Sequence, residues 1–336
     1  MSAREAEIAA FLSVCGWSGA WRAALAGDAS NRRYERLTHP RLGRAVLMDA
    51  PPARGEDVRP FQQVTARLRA MGLSAPEILG ADPALGLLLL EDLGDALFAR
   101  MVRGDPGAEP TLYAAAVDLI VALQDTPGAA IGLPPYDDAV YRREVSLLPE
   151  WYLQAAPGAA DRGDTLRELM QEALDAMQSP PAPVMVMRDY HAENLVWLPD
   201  RTGHARIGLL DYQDALAGHP AYDLVSLLED ARRDTPEALQ EAMVERYIAA
   251  RGGDAAAFRH AYAVLGAQRN LKILGIFTRL WLRDGKPQYL DLLPRVWGHL
   301  RRDLSHPALT GLAAWVAREV PPPDQAYRAA LRAAGC

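Results

Sequence analysis

Lysine is almost absent from this chain. Of its 36 basic residues only Lys272 and Lys286 are lysines, and all the others are arginines. A bias toward arginine codons accounts for most of this, but no chemistry can rely on a lysine in the first 271 residues. Cysteine is scarce too. Cys15 and Cys336 stand near opposite ends, which excludes a disulfide framework and suits a reducing compartment. Basic charge is not in excess: 36 Lys and Arg face 43 Asp and Glu, for a formal net charge of -7. That argues against a general nucleic-acid binder, whose affinity comes from neutralising phosphates. The apolar run "LGLLLL" is far too short to span a bilayer. The start "MSAREAEIAAFLSVCGWSG" lacks the basic start, long apolar stretch and small-residue cleavage site of a signal peptide. No His/Cys spacing suggests zinc. The expectation is a cytoplasmic monomer that binds neither nucleic acid nor membrane.

What is present reads as two regions. The 336 residues are 50% apolar, and this length favours a split into domains. Residues 3–26 predict a helix, with Ile8, Phe11, Leu12, Cys15 and Trp21 at helical spacing. "AGDASNRRYERL" and "AVLMDAPP" predict a hairpin, residues 57–72 a helix ending at Gly72, and "APEILGADPALGLLLLEDLGD" two further strands. After Gly94 the periodicity turns helical, over 110–125, 139–155, 163–178 and four or five segments beyond 220. Between these lie two short apolar strands, Asn194–Leu198 and Ala205–Leu210, around the turn "PDRTG". The reading is a sheet-rich lobe over residues 1–93 and a helical lobe over 94–336.

The segment "VMRDYHAENLVWLPD", Val186–Asp200, places two short polar residues in apolar surroundings. Pairing the two strands brings the loop before the first beside the loop after the second. Asp189, Asn194 and Asp211 then gather at one end of the hairpin. Hard oxygen ligands without cysteine suit magnesium rather than zinc, and a further carboxylate can orient an attacking hydroxyl. A capped hairpin with solvated acids is the plainer alternative.

This pattern of Asp-x4-Asn, strand, turn, strand and Asp resembles that of protein kinases and of the aminoglycoside phosphotransferase-like kinases. The resemblance implies an α+β, protein-kinase-like bilobal fold, with a small antiparallel-sheet N-lobe that binds nucleotide and a larger, mainly helical C-lobe. It implies ATP and Mg2+ as cofactors, Asp189 as the catalytic aspartate, Asn194 and Asp211 as metal ligands, and Asp223 as a structural aspartate. Gly27, Ala29, Ser30 and Asn31 fall where a phosphate-covering loop belongs, though an ordinary hairpin turn reads the same way. Glu91, Asp92 and Leu93 fall where an adenine meets backbone groups, and Val46 and Leu90 are either its apolar cover or plain core. The family's lysine is missing, with Met48 near its place, and "FQQVTARLRAMG" lacks the acid that pairs with it. Arg32 and Arg33 are the candidates to neutralise phosphates instead, or else a solvated hairpin end.

"GDASNRRYERL", "LMDAPP", "PPYDDAVYRREVSLLPEWY", "RDYHAENL" and "AQRNLKILGIF" with "RDGKPQYL" are similar to one subgroup, the cell-wall amino-sugar kinases. These phosphorylate N-acetylmuramic acid and N-acetylglucosamine at the anomeric hydroxyl, so the resemblance implies a sugar 1-kinase of peptidoglycan recycling, with the sugar and ATP as its partners. Tyr136, Asp137 and Asp138 are candidates for sugar hydroxyls, or caps of the next helix. Arg143 and Glu144 follow on that helix, as a ligand contact or as an ion pair. Lys272, Arg269 and Arg279 share one helix, and one of them is a candidate for the lactyl carboxylate. His191, Glu193 and Gln213 flank the catalytic residues on the acceptor side. Two other readings stay open: a kinase of another small alcohol such as an aminoglycoside or choline, and a nucleotide-binding pseudokinase.

Overall fold

The computed structural model describes residues 2–25, 31–155, 162–178, 180 and 182–335. In chain order its first elements are α1 (Ala3–Val14), β1 (Trp21–Ala24), β2 (Arg33–His39), β3 (Gly43–Asp49), α2 (Arg59–Ala70), β4 (Ile78–Asp82), β5 (Leu87–Glu91), α3 (Phe98–Gly104) and α4 (Glu109–Asp125). Then come α5 (Asp138–Val145), α6 (Leu147–Trp151), α7 (Arg162–Ala176), β6 (Val184–Val186), β7 (Leu195–Trp197), β8 (Ile207–Leu209) and β9 (Leu216–Gly218). The chain ends in α8 (Ala221–Leu228), α9 (Glu237–Arg251), α10 (Ala255–Leu282), α11 (Leu293–Asp303), α12 (Thr310–Glu319) and α13 (Gln325–Ala334).

Packing groups these elements into two compact units. One holds residues 1–119 and 192–215, the other 120–191 and 216–336. This grouping by contact is a different division from the role-based 1–93 and 94–336 of the sequence reading.

The first unit is built on a five-stranded antiparallel sheet in the order β1-β2-β3-β5-β4. Leu37, Ala45, Leu47, Leu87 and Leu89 pack with Ile8, Phe11 and Leu12 of α1. The expected helix over 3–26 stops short, at Val14. Gly16 and Gly19 both take positive φ, 78°, a conformation that ends a helix at little cost to glycine. The freed chain then supplies the edge strand β1, so Trp21 lies in a strand and not on a helix. The strands β7 and β8 pair antiparallel, Leu195 opposite Leu209 and Trp197 opposite Ile207. Ser74 anchors this hairpin, since its hydroxyl donates to the carbonyl of Ala205 at 2.6 Å and its own carbonyl takes the N–H of Leu209 at 2.9 Å.

The second unit is helical, and the 28-residue α10 runs through it. Sixteen of its residues are buried, so little of its surface is left for solvent. Its approach to α6 requires a residue without a side chain: a Cβ at Gly275 would lie 2.3 Å from the backbone carbonyl of Leu147. The two-stranded ladder of β6 and β9, unread from the sequence, joins Val184 to Gly218 and Val186 to Leu216. Among the described residues no helix is long and apolar enough to cross a membrane.

Gly275→Ala is therefore expected to destabilise the protein by about 1–3 kcal/mol, the usual cost of overpacking a filled core. Thermal unfolding of the variant beside the parent checks it, with an unchanged melting temperature as the contrary result.

Candidate active site

In the helical unit the residues before Asp189 are held by their backbone. The N–H of Met187 donates to Asp223 Oδ2 at 2.7 Å, and the N–H of Arg188 donates to Asp223 Oδ1 at 2.9 Å. Arg188 has φ 69°, a left-handed conformation that costs a side-chain-bearing residue roughly 1–2 kcal/mol. The hydroxyl of Ser226 donates to the carbonyl of Arg188 at 2.9 Å, and Arg269 Nη2 donates to Ser226 Oγ at 2.9 Å. Asp223 is buried. Burial pushes its pKa up to about 7, against the pull of the two N–H donors. The N–H of Asp189 closes a tight turn onto the carbonyl of Met187 at 2.9 Å. Asp189 itself is half-buried.

His191 is buried beside Arg232, whose Nη1 lies 3.3 Å from its Nε2. Burial lowers its pKa to about 4, so it is neutral near pH 7. The guanidinium of Arg188 is held by Glu144 on α5. Lys272 Nζ lies 3.2 Å from the same Glu144 oxygen and donates to the Tyr222 hydroxyl at 3.1 Å. The Tyr136 hydroxyl donates to the other Glu144 oxygen at 2.6 Å, and Gln268 Nε2 does so at 3.1 Å. Burial pushes the Glu144 pKa up, but Lys272, Arg188, Tyr136 and Gln268 together outweigh it and bring the carboxyl down to about 2.

In the sheet unit the β7–β8 hairpin positions the other two residues. The N–H of Leu210 donates to the carbonyl of Asn194 at 3.0 Å, which sets Asn194 next to the strand end that leads into Asp211. Asp211 has φ 56°, and Gln213 Nε2 donates to its Oδ1 at 2.8 Å. Tyr212 turns the other way. Its ring stacks on Phe61 at 5.0 Å between centroids, and its hydroxyl shares a 2.7 Å hydrogen bond with Thr65. The helix that lacks an acid thus grips the residue after Asp211 through neutral groups. An amide and a carboxylate on adjoining strand ends are hard-oxygen donors of the kind that could hold magnesium, which completes its shell with phosphate and water. Among the described residues no group of three His, Cys, Asp or Glu could hold a metal by itself.

The nucleotide candidates divide. Gly27, Ala29 and Ser30 lie outside the described residues. Asn31 is tied by its N–H to Glu56 at 3.2 Å. Arg32 Nε pairs with Glu56 at 2.8 Å, and Arg33 pairs with Asp49 at 2.7 Å, so both expected phosphate ligands already carry a carboxylate partner. Met48 and Leu90 are buried and Val46 half-buried. Glu91 pairs with Arg201. Asp92 pairs with Arg36 at 2.8 Å and accepts the N–H of Gly94 at 2.9 Å. The side chain of Leu93 packs over Gly208, where a Cβ would meet it at 2.8 Å.

The acceptor candidates divide as well. Asp137 caps α5 by accepting the N–H of Val140 at 3.0 Å, and Asp138 accepts Gln171 Nε2 at 2.9 Å. Arg143 is exposed, and Glu144 pairs with Arg188 and Lys272 rather than with it. Tyr136 is buried, Glu193 is half-buried on the loop, and Gln213 is spent on Asp211. Arg279 is half-buried near Arg283. Sequence reasoning did not find Ser226, or Glu144 as the meeting point of two cations. Their partners lie 38 and 44 residues away, and no local pattern signals that.

An antiparallel sheet followed by a helical unit, with Asp189 on a clamped loop and Asn194 and Asp211 on a hairpin, defines a protein-kinase-like fold. Solved structures share it. A choline/ethanolamine kinase family protein from Mesorhizobium loti matches with a TM-score of 0.60 at 18% identity, covering 98% of this chain and 99% of that one. The GDP complex of an aminoglycoside 2'-phosphotransferase-IIIa matches with a TM-score of 0.62 at 15% identity, covering 90% and 100%. Residues 21–262 match the phosphotransferase enzyme family, and the chain belongs to that family. A relative from Caulobacter vibrioides named N-acetylmuramate/N-acetylglucosamine kinase is 41% identical over 356 aligned residues, 95% of this chain and 98% of the relative. One of the same name from Pseudomonas aeruginosa is 38% identical over 287, covering 81% and 80%.

Two outcomes follow from this geometry. Ser226→Ala removes the bond to the Arg188 carbonyl and is expected to lower kcat about tenfold with little change in KM, because it loosens the residue before Asp189 without touching a substrate. Steady-state kinetics of any phosphotransfer reaction of the protein check it. Glu144 has a depressed folded pKa, so its stabilisation is fully present above the ordinary carboxylate range. It is lost as pH falls from about 4.5 toward about 2, and amounts to about 3 kcal/mol. Acid unfolding of Glu144→Gln should show a flatter stability profile across that window than the parent, and equal slopes would contradict the assignment.

Proposed function

We propose that this protein transfers the γ-phosphoryl group of ATP to the anomeric hydroxyl of N-acetylmuramic acid and N-acetylglucosamine. The observation that carries the reading is the 41% identity across 95% of the chain to a relative with that pair of sugars in its name. The product is a sugar 1-phosphate, as cytoplasmic recycling of peptidoglycan requires, and a monomer suffices for it. Nucleotide is held by residues 1–93, with adenine against the backbone of Glu91–Leu93 and phosphates near the segment that ends in Asn31–Arg33.

Asp189 orients the sugar C1 hydroxyl and takes its proton. The sugar oxygen bonds to the γ-phosphorus as the bond from that phosphorus to the ADP oxygen breaks, and ADP leaves with the electron pair. An anomeric hydroxyl is more acidic than an ordinary alcohol, so a carboxylate can accept its proton late in a loose transition state. Asn194 and Asp211 would hold Mg2+, which screens the charge of the phosphates when bound. His191 stays neutral over the working range and can offer a hydrogen bond without carrying charge. The clamp of Asp223 and Ser226 keeps Asp189 in place before the sugar arrives, which lowers the ordering cost of the reaction.

Phosphorus NMR of the protein with ATP, magnesium and each sugar tests this. A new sugar 1-phosphate signal is expected with the parent. Asp189→Asn is expected to lower turnover by about 10³-fold or more while nucleotide binding stays close to the parent's. Silence of the parent with both sugars would remove this reading. Bound ATP would then favour another small alcohol as acceptor, or a nucleotide-binding module without turnover.

A further inference from the structure

Two cations in the helical unit share one carboxylate. Glu144 takes Arg188 and Lys272 on one oxygen, and Tyr136 and Gln268 on the other. Its acceptor capacity is spent, and the cluster holds two positive charges against one negative. The charge of Asp189 also reaches Arg188, but in the reaction proposed above that carboxylate faces the reacting hydroxyl. Behind the cations stands a wall of buried rings. Tyr136 stacks on Tyr141 at 4.3 Å and tilts against Tyr222 at 4.8 Å, and the Arg188 guanidinium lies 5.4 Å from the centre of the Tyr136 ring.

The cations are the more exposed part of this cluster, although the Glu144 side chain, at 9%, is close to Lys272. The side chains of Arg188 and Lys272 are 22% and 12% exposed, while Tyr136 is 4% exposed. Their donors are not exhausted either. An ammonium has three N–H groups, of which Glu144 and Tyr222 account for two. The Arg188 guanidinium has five, of which Glu144 takes one at Nη2, while the acceptor-less Nε is buried beneath the exposed end. Partly desolvated donors on two cations are poorly satisfied by water and call for an anionic acceptor. The other arginines on the helix do not compete: Arg269 is buried against Ser226, and Arg279 lies nearly three turns further along α10.

We propose that Arg188 and Lys272 form a subsite for a carboxylate on the acceptor, with Lys272 making the protein discriminate an acidic amino sugar from a neutral one. The inference rests on the amino-sugar kinase reading. N-acetylmuramic acid carries a lactyl carboxylate that N-acetylglucosamine lacks, so the two sugars differ by the group this subsite takes.

The test compares kcat/KM of the parent and of Lys272→Met on N-acetylmuramic acid, its neutral methyl ester and N-acetylglucosamine. The parent is expected to favour the acid over the ester, and Lys272→Met to shrink that acid-to-ester ratio by about tenfold, the size of one charge-assisted hydrogen bond. Glu144→Gln removes the competing negative charge and should move the ratio the opposite way, which a merely structural role would not do. A ratio that stays put in Lys272→Met, with all three sugars slowed alike, overturns the subsite and leaves the kinase reading standing. A parent that handles acid and ester equally overturns it with no variant at all. A parent that phosphorylates none of the three removes the kinase reading and the subsite together.

Discussion

The shape of the loop that carries Asp189 depends on one buried carboxylate. Asp223 takes two successive backbone N–H groups, and the second belongs to a residue in a left-handed conformation. A carboxylate has the acceptors for both, and no neutral side chain of that size offers two equivalent oxygens in the same plane. Ser226 stands three residues on, on the same face of α8, and fixes the carbonyl of the same residue. The peptides on both sides of Arg188 are thereby set, and the direction of Asp189 follows from them. The strain is local and costs roughly 1–2 kcal/mol, while each hydrogen bond to a charged group returns about as much. Burial opposes the charge on Asp223, and the nearby Arg269 favours it. Arg269 is tied into the same cluster directly, through its bond to Ser226 Oγ at 2.9 Å.

The lack of lysine shapes the sheet unit in a comparable way. Arginine–carboxylate pairs recur in it: Arg4 and Arg33 on Asp49, Arg32 on Glu56, and Arg36 with Asp92 and Asp95. A buried ion pair loses more when one partner is removed than it contributes when both are present. A strand that carried a lysine at Met48 would need an acid facing it, and α2 offers Phe61, Val64, Thr65 and Leu68 to the core instead. The apolar strand and the acid-free helix are therefore one consistent solution. Thr65 and Phe61 link α2 to the Asp211 loop by a hydroxyl bond and a ring stack, neither of which responds to charge.

The parts of this fold that were legible in the sequence share one property: the signal is local. The hairpin of β7 and β8 shows as two apolar runs around a turn, and that alone juxtaposes Asn194 with the approach to Asp211. The helix α2 shows as an apolar face closed by Gly72. The pair β6 and β9 does not show, because three residues carry no periodicity and the strands meet across an intervening hairpin. The helix α1 was read too long because Cys15 and Trp21 continue its spacing, while Gly16 and Gly19 decide the backbone. The spacing singles out Asp189, Asn194 and Asp211 as candidates, and the structure places the first on the loop after β6 and the other two at the ends of the β7–β8 hairpin. The clamp and the Glu144 cluster were not legible, since each is assembled from helices distant in the chain.

The choice of residue at position 272 carries information that composition alone hides. Elsewhere this chain meets nearly every need for positive charge with arginine, including buried ones such as Arg269. A guanidinium is a planar fork that spreads its charge over three nitrogens, whereas an ammonium is a compact point charge on a flexible stem. Lys272 sits between Glu144 at 3.2 Å and the Tyr222 hydroxyl at 3.1 Å, with its nitrogen 5.7 Å from the centre of the Tyr222 ring. The space is bounded by three packed tyrosines and already holds the guanidinium of Arg188. A second fork would bring two delocalised cations edge to edge over one carboxylate. A point charge instead reaches the shared oxygen from the side and keeps a donor for something else. In that crowded space the compact shape of Lys272, and not only its charge, fits the position.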